Sequence, residues 1–262
     1  MLPGPDLKVT PFEADSDPPV RGYIHYPFVA ADSPTSTAEP PHPTTDRRQA
    51  LVLSHGAGSN CRAPLLVALA GAFAAAGFTV LRCDLPYRQK RPHGPPLGSA
   101  EEDQRGLRNA VAAMRGLATD QPFRAIYLGG HSYGGRQATM LVARDIALVD
   151  GLLLLSYPLH PPQKPGQLRT AHFPQMRTPA LFVHGSRDPF GSLEEMEAAL
   201  KLIPAVTFLL PVEGAGHDLS LKSVEISRPD VPSTRWGKRK ASPDDLAGRV
   251  VTAFCSWRAS LG

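Results

Sequence analysis

The chain lacks the features that would mark a membrane, secreted or metal-binding protein. Its three cysteines, Cys61, Cys83 and Cys255, have the spacing of neither a disulfide framework nor a zinc site. No apolar run reaches the length of a membrane span, and the first residues lack the basic segment and apolar core of a secretory signal. We therefore predict a cytoplasmic protein with no membrane partner, no metal and no cofactor.

The positive net charge of the chain comes from one segment. Residues 222–240 hold six Lys and Arg against two acids, which accounts for the whole formal charge of +4. The bases around Trp236 are typical of a patch for an anionic partner, but a solvated loop is the simpler interpretation. Nucleic-acid binders usually carry a broad basic surface, so the sequence does not predict a nucleic-acid partner.

The rest of the chain has the composition and patterning of an α/β protein. A hydrophobic content of 42% suffices for one core, and we predict a single domain over residues 1–262. Residues 28–49, rich in Pro, Thr, Ser and Ala, are predicted to be a flexible insertion, and 222–240 a basic loop. Apolar runs such as Gly151–Leu155 indicate strands buried on both faces, so we predict a doubly wound, mostly parallel sheet.

Strands and helices are predicted to alternate along the chain. Antiparallel edge strands are expected near residues 8–14 and 21–27, and a proline-rich loop over 86–96. Ser99 is a candidate N-cap. Further strands are predicted at 50–54, 78–83, 125–129, 151–155, 180–184 and 206–210, and helices at 64–76, 100–117, 136–145, 193–202 and 244–260.

Residues 130–134 read Gly-His-Ser-Tyr-Gly and directly follow the apolar strand 125–129. A G-x-S-x-G sequence between a strand and a helix is typical of a nucleophile elbow, in which a sharp turn exposes one serine. Serine between glycines is often only a loop, and the strand and helix on either side favour the elbow. Ser132 is therefore the candidate nucleophile.

The elbow predicts an acid and then a histidine further along the chain. Asp188 follows the strand 180–184 in a turn with Gly185 and Pro189, and His217 lies in a glycine-rich loop after the strand 206–210. Asp188 could also be an ordinary turn residue. His184 and Asp84 are competitors that break the expected chain order, whereas His55 and His131 are expected to support loop packing.

Together, the serine, the histidine and the acid are the residue types of nucleophilic catalysis by a serine hydroxyl. His217 would take the proton of Ser132, and Asp188 would orient the imidazole and stabilise its charged form. The oxyanion hole would use the backbone N–H of Tyr133 and one from the loop 54–58, where Ala57 is favoured and Gly58 is a close rival.

The elbow, the acid, the histidine and the H-G-x-G loop at 55–58 resemble the α/β-hydrolase superfamily. Residues 84–88, 156–162, 168–172 and 185–191 further resemble a branch of bacterial hydrolases related to dienelactone hydrolases. That branch also includes a testis-expressed animal protein and a subunit of a nuclear acetyltransferase complex. The resemblance implies an α/β-hydrolase fold. The animal members would have arginine at the position of His131.

Asp188 follows Ser132 by only 56 positions, and the elements predicted between them leave no space for a large lid domain. The connection 157–179, with six prolines, is expected to be an ordered loop or short helix over the site. Arg88, Arg136 and His160 could lie near the mouth and favour an anionic group, although solvated surface charge is an equal interpretation of each.

We therefore predict a serine hydrolase that cleaves a carboxylic ester or thioester through an acyl-enzyme. An amidase, peptidase or lactonase would use the same residues. The rival hypothesis is a catalytically weak or inactive α/β-hydrolase-like module that binds a protein or an anionic partner. The sequence does not fix the oligomeric state.

Overall fold

The computed structural model describes residues 8–27, 48–118, 121–220 and 243–261 of the chain. The predicted basic loop 222–240 and all but the last two residues of the predicted insertion 28–49 lie outside these ranges. The assignment of the whole chain to one domain stays a prediction.

Eight strands form one sheet in the order β1-β2-β4-β3-β5-β6-β7-β8. The first two strands pair antiparallel, and β2 also pairs antiparallel with β4. All the other neighbours are parallel. The strands are β1 Val9–Ala14, β2 Val20–His25, β3 Gln49–Ser54, β4 Phe78–Cys83, β5 Ala125–His131, β6 Gly151–Leu155, β7 Ala180–Gly185 and β8 Thr207–Val212.

Helices cover both faces of this sheet, because successive side chains of the buried strands point to opposite sides. In β6, Leu152 and Leu154 pack into the core on one face, whereas Leu153 and Leu155 pack into the core on the other. The helices are α1 Pro64–Ala75, α2 Pro86–Lys90, α3 Ala100–Gly116, α4 Tyr133–Val142, α5 Leu193–Leu200 and α6 Pro243–Ala259. Buried residues of α3, α4 and α5 belong to the first core, and those of α1 and α6 to the second.

The predicted doubly wound fold is confirmed, and the differences are local. Ser99 caps α3, since its Oγ accepts a hydrogen bond from the Glu102 N–H at 3.2 Å. The proline-rich segment predicted as a loop contains the short helix α2, which begins at Pro86, where a missing N–H costs no intrahelical bond. The α4 helix begins at Tyr133, three residues earlier than predicted, and the connection 157–179 contains one 3₁₀ turn, Phe173–Gln175, without a large lid.

Candidate active site

Ser132 occupies a strained backbone turn at the carboxyl end of the sheet. It connects β5 directly to α4 and has φ +50° and ψ −113°, in a region that non-glycine residues rarely adopt. Its N–H donates to the carbonyl of Leu155 at 2.8 Å, and its own carbonyl accepts from the Arg136 N–H at 2.9 Å. Such a conformation costs about 1–3 kcal/mol and persists only where the surrounding structure holds it.

Glycine is required on both sides of this turn by close packing. A Cβ at Gly130 or at Gly134 would lie 2.5 Å from the Ser54 Oγ. Ser54 Oγ is itself held by a 3.2 Å hydrogen bond to the Gly129 carbonyl. The G-x-S-x-G spacing therefore reflects contact between the elbow and the end of β3.

Asp188 lies just beyond β7, with its carboxylate fully buried. The turn is closed by the Asp188 N–H, which donates to the Gly185 carbonyl at 3.1 Å. Its Oδ1 accepts a hydrogen bond from the Phe190 N–H at 2.9 Å. These bonds fix the carboxylate, because a buried charge is tolerated only when it is paired and hydrogen-bonded.

His217 connects the acid to the serine. Its Nδ1 lies 2.8 Å from the Asp188 Oδ2, and its Nε2 lies 2.8 Å from the Ser132 Oγ. A carboxylate can only accept, so Nδ1 carries a proton, and in the neutral ring Nε2 is left to accept from the serine hydroxyl. The imidazole also stacks on the Phe190 ring, with centroids 4.1 Å apart.

His131 holds the loop that carries His217. Its Nε2 donates to the backbone carbonyl of His217 at 2.8 Å, and the two rings lie 5.3 Å apart between centroids. Burial is the main cause that lowers the pKa of His131. The lowered pKa favours the neutral ring, and the contact with the carbonyl places its one proton on Nε2.

The loop after β3 runs beside the serine, where a Cβ on Gly56 would lie 3.4 Å from the Ser132 Cβ. His55 Nε2 accepts from the Leu85 N–H at 3.1 Å, which leaves Nδ1 to donate to the Gly56 carbonyl at 2.8 Å. Burial is the main cause that lowers the pKa of His55, which keeps the ring neutral.

Tyr87 and Arg88 hold the carbonyls of the same loop. The Tyr87 hydroxyl lies 2.8 Å from the Ala57 carbonyl and 3.2 Å from that of Gly56. Arg88 Nη2 donates to the Ala57 carbonyl at 2.9 Å. In a planar trans peptide the N–H points opposite to the C=O, so these contacts direct the N–H groups of Ala57 and Gly58 away from Tyr87 and Arg88.

Asp103 joins α2 to the start of α4. Its Oδ2 accepts from the Tyr133 hydroxyl at 2.7 Å, and its Oδ1 accepts from the Tyr87 N–H at 3.2 Å. Burial raises the pKa of Asp103, and the two hydrogen bonds act in the opposite direction. Sequence reasoning missed this carboxylate, since an acid in the first turn of a helix is ordinarily a solvated, dipole-stabilising residue.

The competing residues have other partners, although the His184 Nε2 lies 3.8 Å from the Asp188 Oδ2. Asp84 accepts from the Cys61 N–H at 2.7 Å and faces His55. His184 donates from Nε2 to the Gly191 carbonyl at 2.8 Å. The structure brings neither to the Ser132 hydroxyl.

The three residues predicted to meet a substrate have different surroundings. Arg88 is buried and gives four hydrogen bonds to the carbonyls of Ala57, Ser59, Arg91 and Gly94. His160 is also buried, between the Pro161 carbonyl at 2.8 Å and the Glu195 carboxylate at 3.3 Å. Arg136 is half-buried and lines a cavity beside α4. Substrate contact by any of them stays a prediction.

Within the described ranges, no helix is both long and apolar enough to cross a membrane, and no group of three or more His, Cys, Asp or Glu side chains is placed to hold a metal ion.

The fold is shared with solved hydrolase structures at low sequence identity. Dienelactone hydrolase from Anabaena variabilis is 17% identical with a TM-score of 0.60, over 81% of this chain and 89% of that one. Est1E from Butyrivibrio proteoclasticus is 16% identical with a TM-score of 0.62, over 95% of this chain and 99% of that one. A serine hydrolase without a lid from Xanthomonas campestris is 15% identical with a TM-score of 0.55, over 95% of both chains.

The likeness to dienelactone hydrolase agrees with the resemblance noted in the sequence, whereas the links to a testis-expressed protein and an acetyltransferase subunit stay predictions. Residues 47–229 match the family described as "Alpha/beta hydrolase domain". The match spans more than half of the chain, and the chain therefore belongs to the α/β-hydrolase family.

Proposed function

We propose that the protein is a serine hydrolase that cleaves a carboxylic ester or thioester through an acyl-enzyme. The observation that carries this proposal is the unbroken chain from the Ser132 Oγ through His217 to Asp188, with 2.8 Å at each step. A serine hydroxyl needs a base within this reach to become a nucleophile at neutral pH.

In the first half-reaction, the Ser132 Oγ attacks the carbonyl carbon while His217 Nε2 takes the hydroxyl proton. The tetrahedral intermediate collapses, the bond to the leaving oxygen or sulfur breaks, and His217 returns the proton to that atom. Asp188 holds the imidazole tautomer and stabilises the imidazolium that forms between the two transfers.

In the second half-reaction, His217 takes a proton from water, and the resulting hydroxide attacks the acyl-serine carbonyl. The bond between the carbonyl carbon and the Ser132 Oγ breaks, the serine recovers a proton from His217, and the carboxylic acid leaves. The same three residues therefore serve both halves of the reaction.

The oxyanion of each intermediate would bind to the backbone N–H groups of Tyr133 and Ala57. Tyr133 is the first residue of α4, where an N–H has no intrahelical partner. The Gly56 carbonyl, on the same peptide unit as the Ala57 N–H, is fixed by His55. Loss of one such donor typically costs about 3–4 kcal/mol of transition-state stabilisation.

Access to Ser132 favours small or moderately sized substrates. The connection between β6 and β7 contains a single 3₁₀ turn and no helical lid domain. A serine nucleophile favours esters, and a small-molecule ester is therefore the proposed substrate, without a membrane surface. A cytoplasmic location stays a prediction.

Pre-steady-state hydrolysis of p-nitrophenyl acetate tests this function. We expect a burst of p-nitrophenol equal to the enzyme concentration, because acylation by an activated aryl ester should be faster than deacylation. The burst should be absent in Ser132→Ala and retained in the matched control Ser260→Ala, at an exposed residue whose hydroxyl bonds to the Trp257 carbonyl at the end of α6. Equal hydrolysis by wild type and Ser132→Ala would contradict the proposal, and a folded, inert wild type would favour the interaction-module hypothesis.

A further inference from the structure

Three arginines gather around a cavity that the proposed mechanism does not use. The cavity has a volume of about 440 Å³ and lies between α4 and the segment 168–175. Arg136 comes from α4, Arg144 from the turn that follows α4, and Arg169 faces them from the connection after β6. Arg136 and Met140 are four residues apart on α4, which places them on one face of the helix.

These arginines are not neutralised by the protein. Within the described residues, no salt bridge joins any of them to a carboxylate, and the Arg136 Nε is buried without a hydrogen-bond partner. Arg144 acts only weakly on the exposed Glu101, whose pKa is lowered mainly by hydrogen bonds from its own backbone and from Ser99. A buried polar group left unpaired in this way is a reason to look for a ligand.

The neighbouring groups show the effect of the accumulated positive charge. Burial, and then the charges of Arg136 and Arg144, lower the pKa of His172 to about 4, so this fourth basic residue of the cavity stays neutral. Burial and then the charge of Arg136 also lower the pKa of Arg169. Arg136 therefore repels the charges of both Arg169 and a protonated His172.

We propose that this cavity binds the negatively charged group of an organic anion, a carboxylate or a phosphate. Arginine suits both groups, since its planar N–H fork matches their oxygens in pairs. Met140 and the exposed Leu168 supply apolar surface for the organic part. The volume lies within the range of small-molecule sites.

Direct binding to Ser132→Ala protein tests the site apart from hydrolysis, so an inert enzyme would not affect the result. The probes are phenyl phosphate and benzoate, with neutral benzamide as the matched compound, measured by isothermal titration calorimetry. We expect both anions to bind and benzamide not to bind. Arg169→Ala and Arg144→Ala, each in the same Ser132→Ala protein, should weaken anion binding about tenfold or more, since each removes a charge-assisted hydrogen bond.

The matched control is Arg177→Ala, which removes an exposed arginine of the same connection that bonds to the Pro174 carbonyl outside the cavity. It should leave anion affinity unchanged. Benzoate should raise the melting temperature of the Ser132→Ala parent more than that of Arg169→Ala, whereas loss of a merely structural arginine would leave the two increases equal. No binding of either anion, or equal binding by Arg169→Ala and its parent, would overturn the proposal.

The anion could be part of the ester substrate or a separate molecule, and competition on the wild-type enzyme separates these two sources. If it belongs to the substrate, inorganic phosphate should raise the KM of an aryl ester with a carboxylate in its acyl chain and leave p-nitrophenyl acetate unaffected. If it is separate, phosphate should change both reactions alike. Phosphate that changes neither reaction and does not bind would count against the site.

Discussion

The two sides of Ser132 are built differently. On the base side, the side chains of His217 and Asp188 lie in line with the serine hydroxyl, and His131 supports them from behind. On the oxyanion side, the groups that would act are backbone amides, and the side chains of His55, Tyr87 and Arg88 only hold the carbonyls of their loop.

This difference separates acting residues from positioning residues. A side chain that transfers a proton cannot be replaced, whereas one of several side chains that hold a loop shares its task with the others. Substitutions on the base side should therefore remove more activity than substitutions on the oxyanion side, except at His131, which only positions His217.

The largest effect is expected for Ser132→Ala. Removal of a catalytic serine lowers kcat by about 10⁶-fold in a well-studied serine protease, and we expect a loss of that order on p-nitrophenyl acetate. The melting temperature should not fall, because alanine leaves the strained turn in place. Residual activity within tenfold of wild type would show that another nucleophile acts.

Asp188→Asn should lower kcat about 10⁴-fold, because an amide facing Nδ1 stabilises the wrong imidazole tautomer. The matched control is Asp84→Asn, at the acid near His55. Its effect on kcat should be far smaller. Equal losses of kcat in the two variants would contradict the assignment of Asp188, and not Asp84, as the acid that acts through His217.

Acidification should destabilise the base side and the oxyanion side of Ser132 together. The base side is supported by His131 and the oxyanion side by His55, and burial lowers the pKa of both histidines. A lowered pKa means that the unfolded chain binds the proton first, so the free energy of unfolding falls as the pH drops below about 6.5. Each such histidine lowers the free energy of unfolding by about 1.4 kcal/mol for each further pH unit, until the pKa of the histidine in the folded protein is reached. The histidines concerned are His25, His55, His131, His172 and His184, and the pKa is about 4 in His25 and His172.

Urea unfolding at pH 7.0 and at pH 5.5 measures this loss. The free energy of unfolding of His172→Gln should change less between the two pH values than that of wild type, since the variant lacks one of the five histidines. A free energy of unfolding that stays constant between the two pH values would contradict the assignment of neutral, buried imidazoles.

Tyr87→Phe should lower kcat by about 10- to 100-fold, because it frees the carbonyls of Gly56 and Ala57 and loosens the loop that carries the second oxyanion donor. KM should change little, since ground-state binding does not use that donor. Tyr157→Phe is the control, because it removes a buried hydroxyl that bonds to the Arg169 carbonyl. If both variants lose kcat equally, the effect is on general stability.

The smallest effect is expected for His131→Phe, about tenfold in kcat, because the ring is kept but the hydrogen bond to the His217 carbonyl is lost. His131→Gln can place an N–H near the same carbonyl and should restore most of the activity. A loss larger than that of Asp188→Asn would show that His131 itself takes part in the chemistry.

Much of the fold and the chain order of the site could be predicted from the sequence. The strand before Ser132 and the turns at Asp188 and His217 have local patterns, and parallel strands bring their ends to one edge. Tyr87 and Asp103 could not be predicted as partners, because no local pattern encodes a contact across α2, α3 and the loop after β3. The helix α2 was missed because proline-rich segments usually form loops, whereas Pro86 begins a helical turn.

The central claim is that Ser132 is activated by His217, and labelling with a fluorophosphonate probe tests it most directly. Wild type should be labelled on a peptide that contains Ser132, as located by mass spectrometry. The variants Ser132→Ala and His217→Ala should remain unlabelled under the same conditions. A folded wild type that is not labelled, or His217→Ala protein labelled as fast as wild type, would contradict the account.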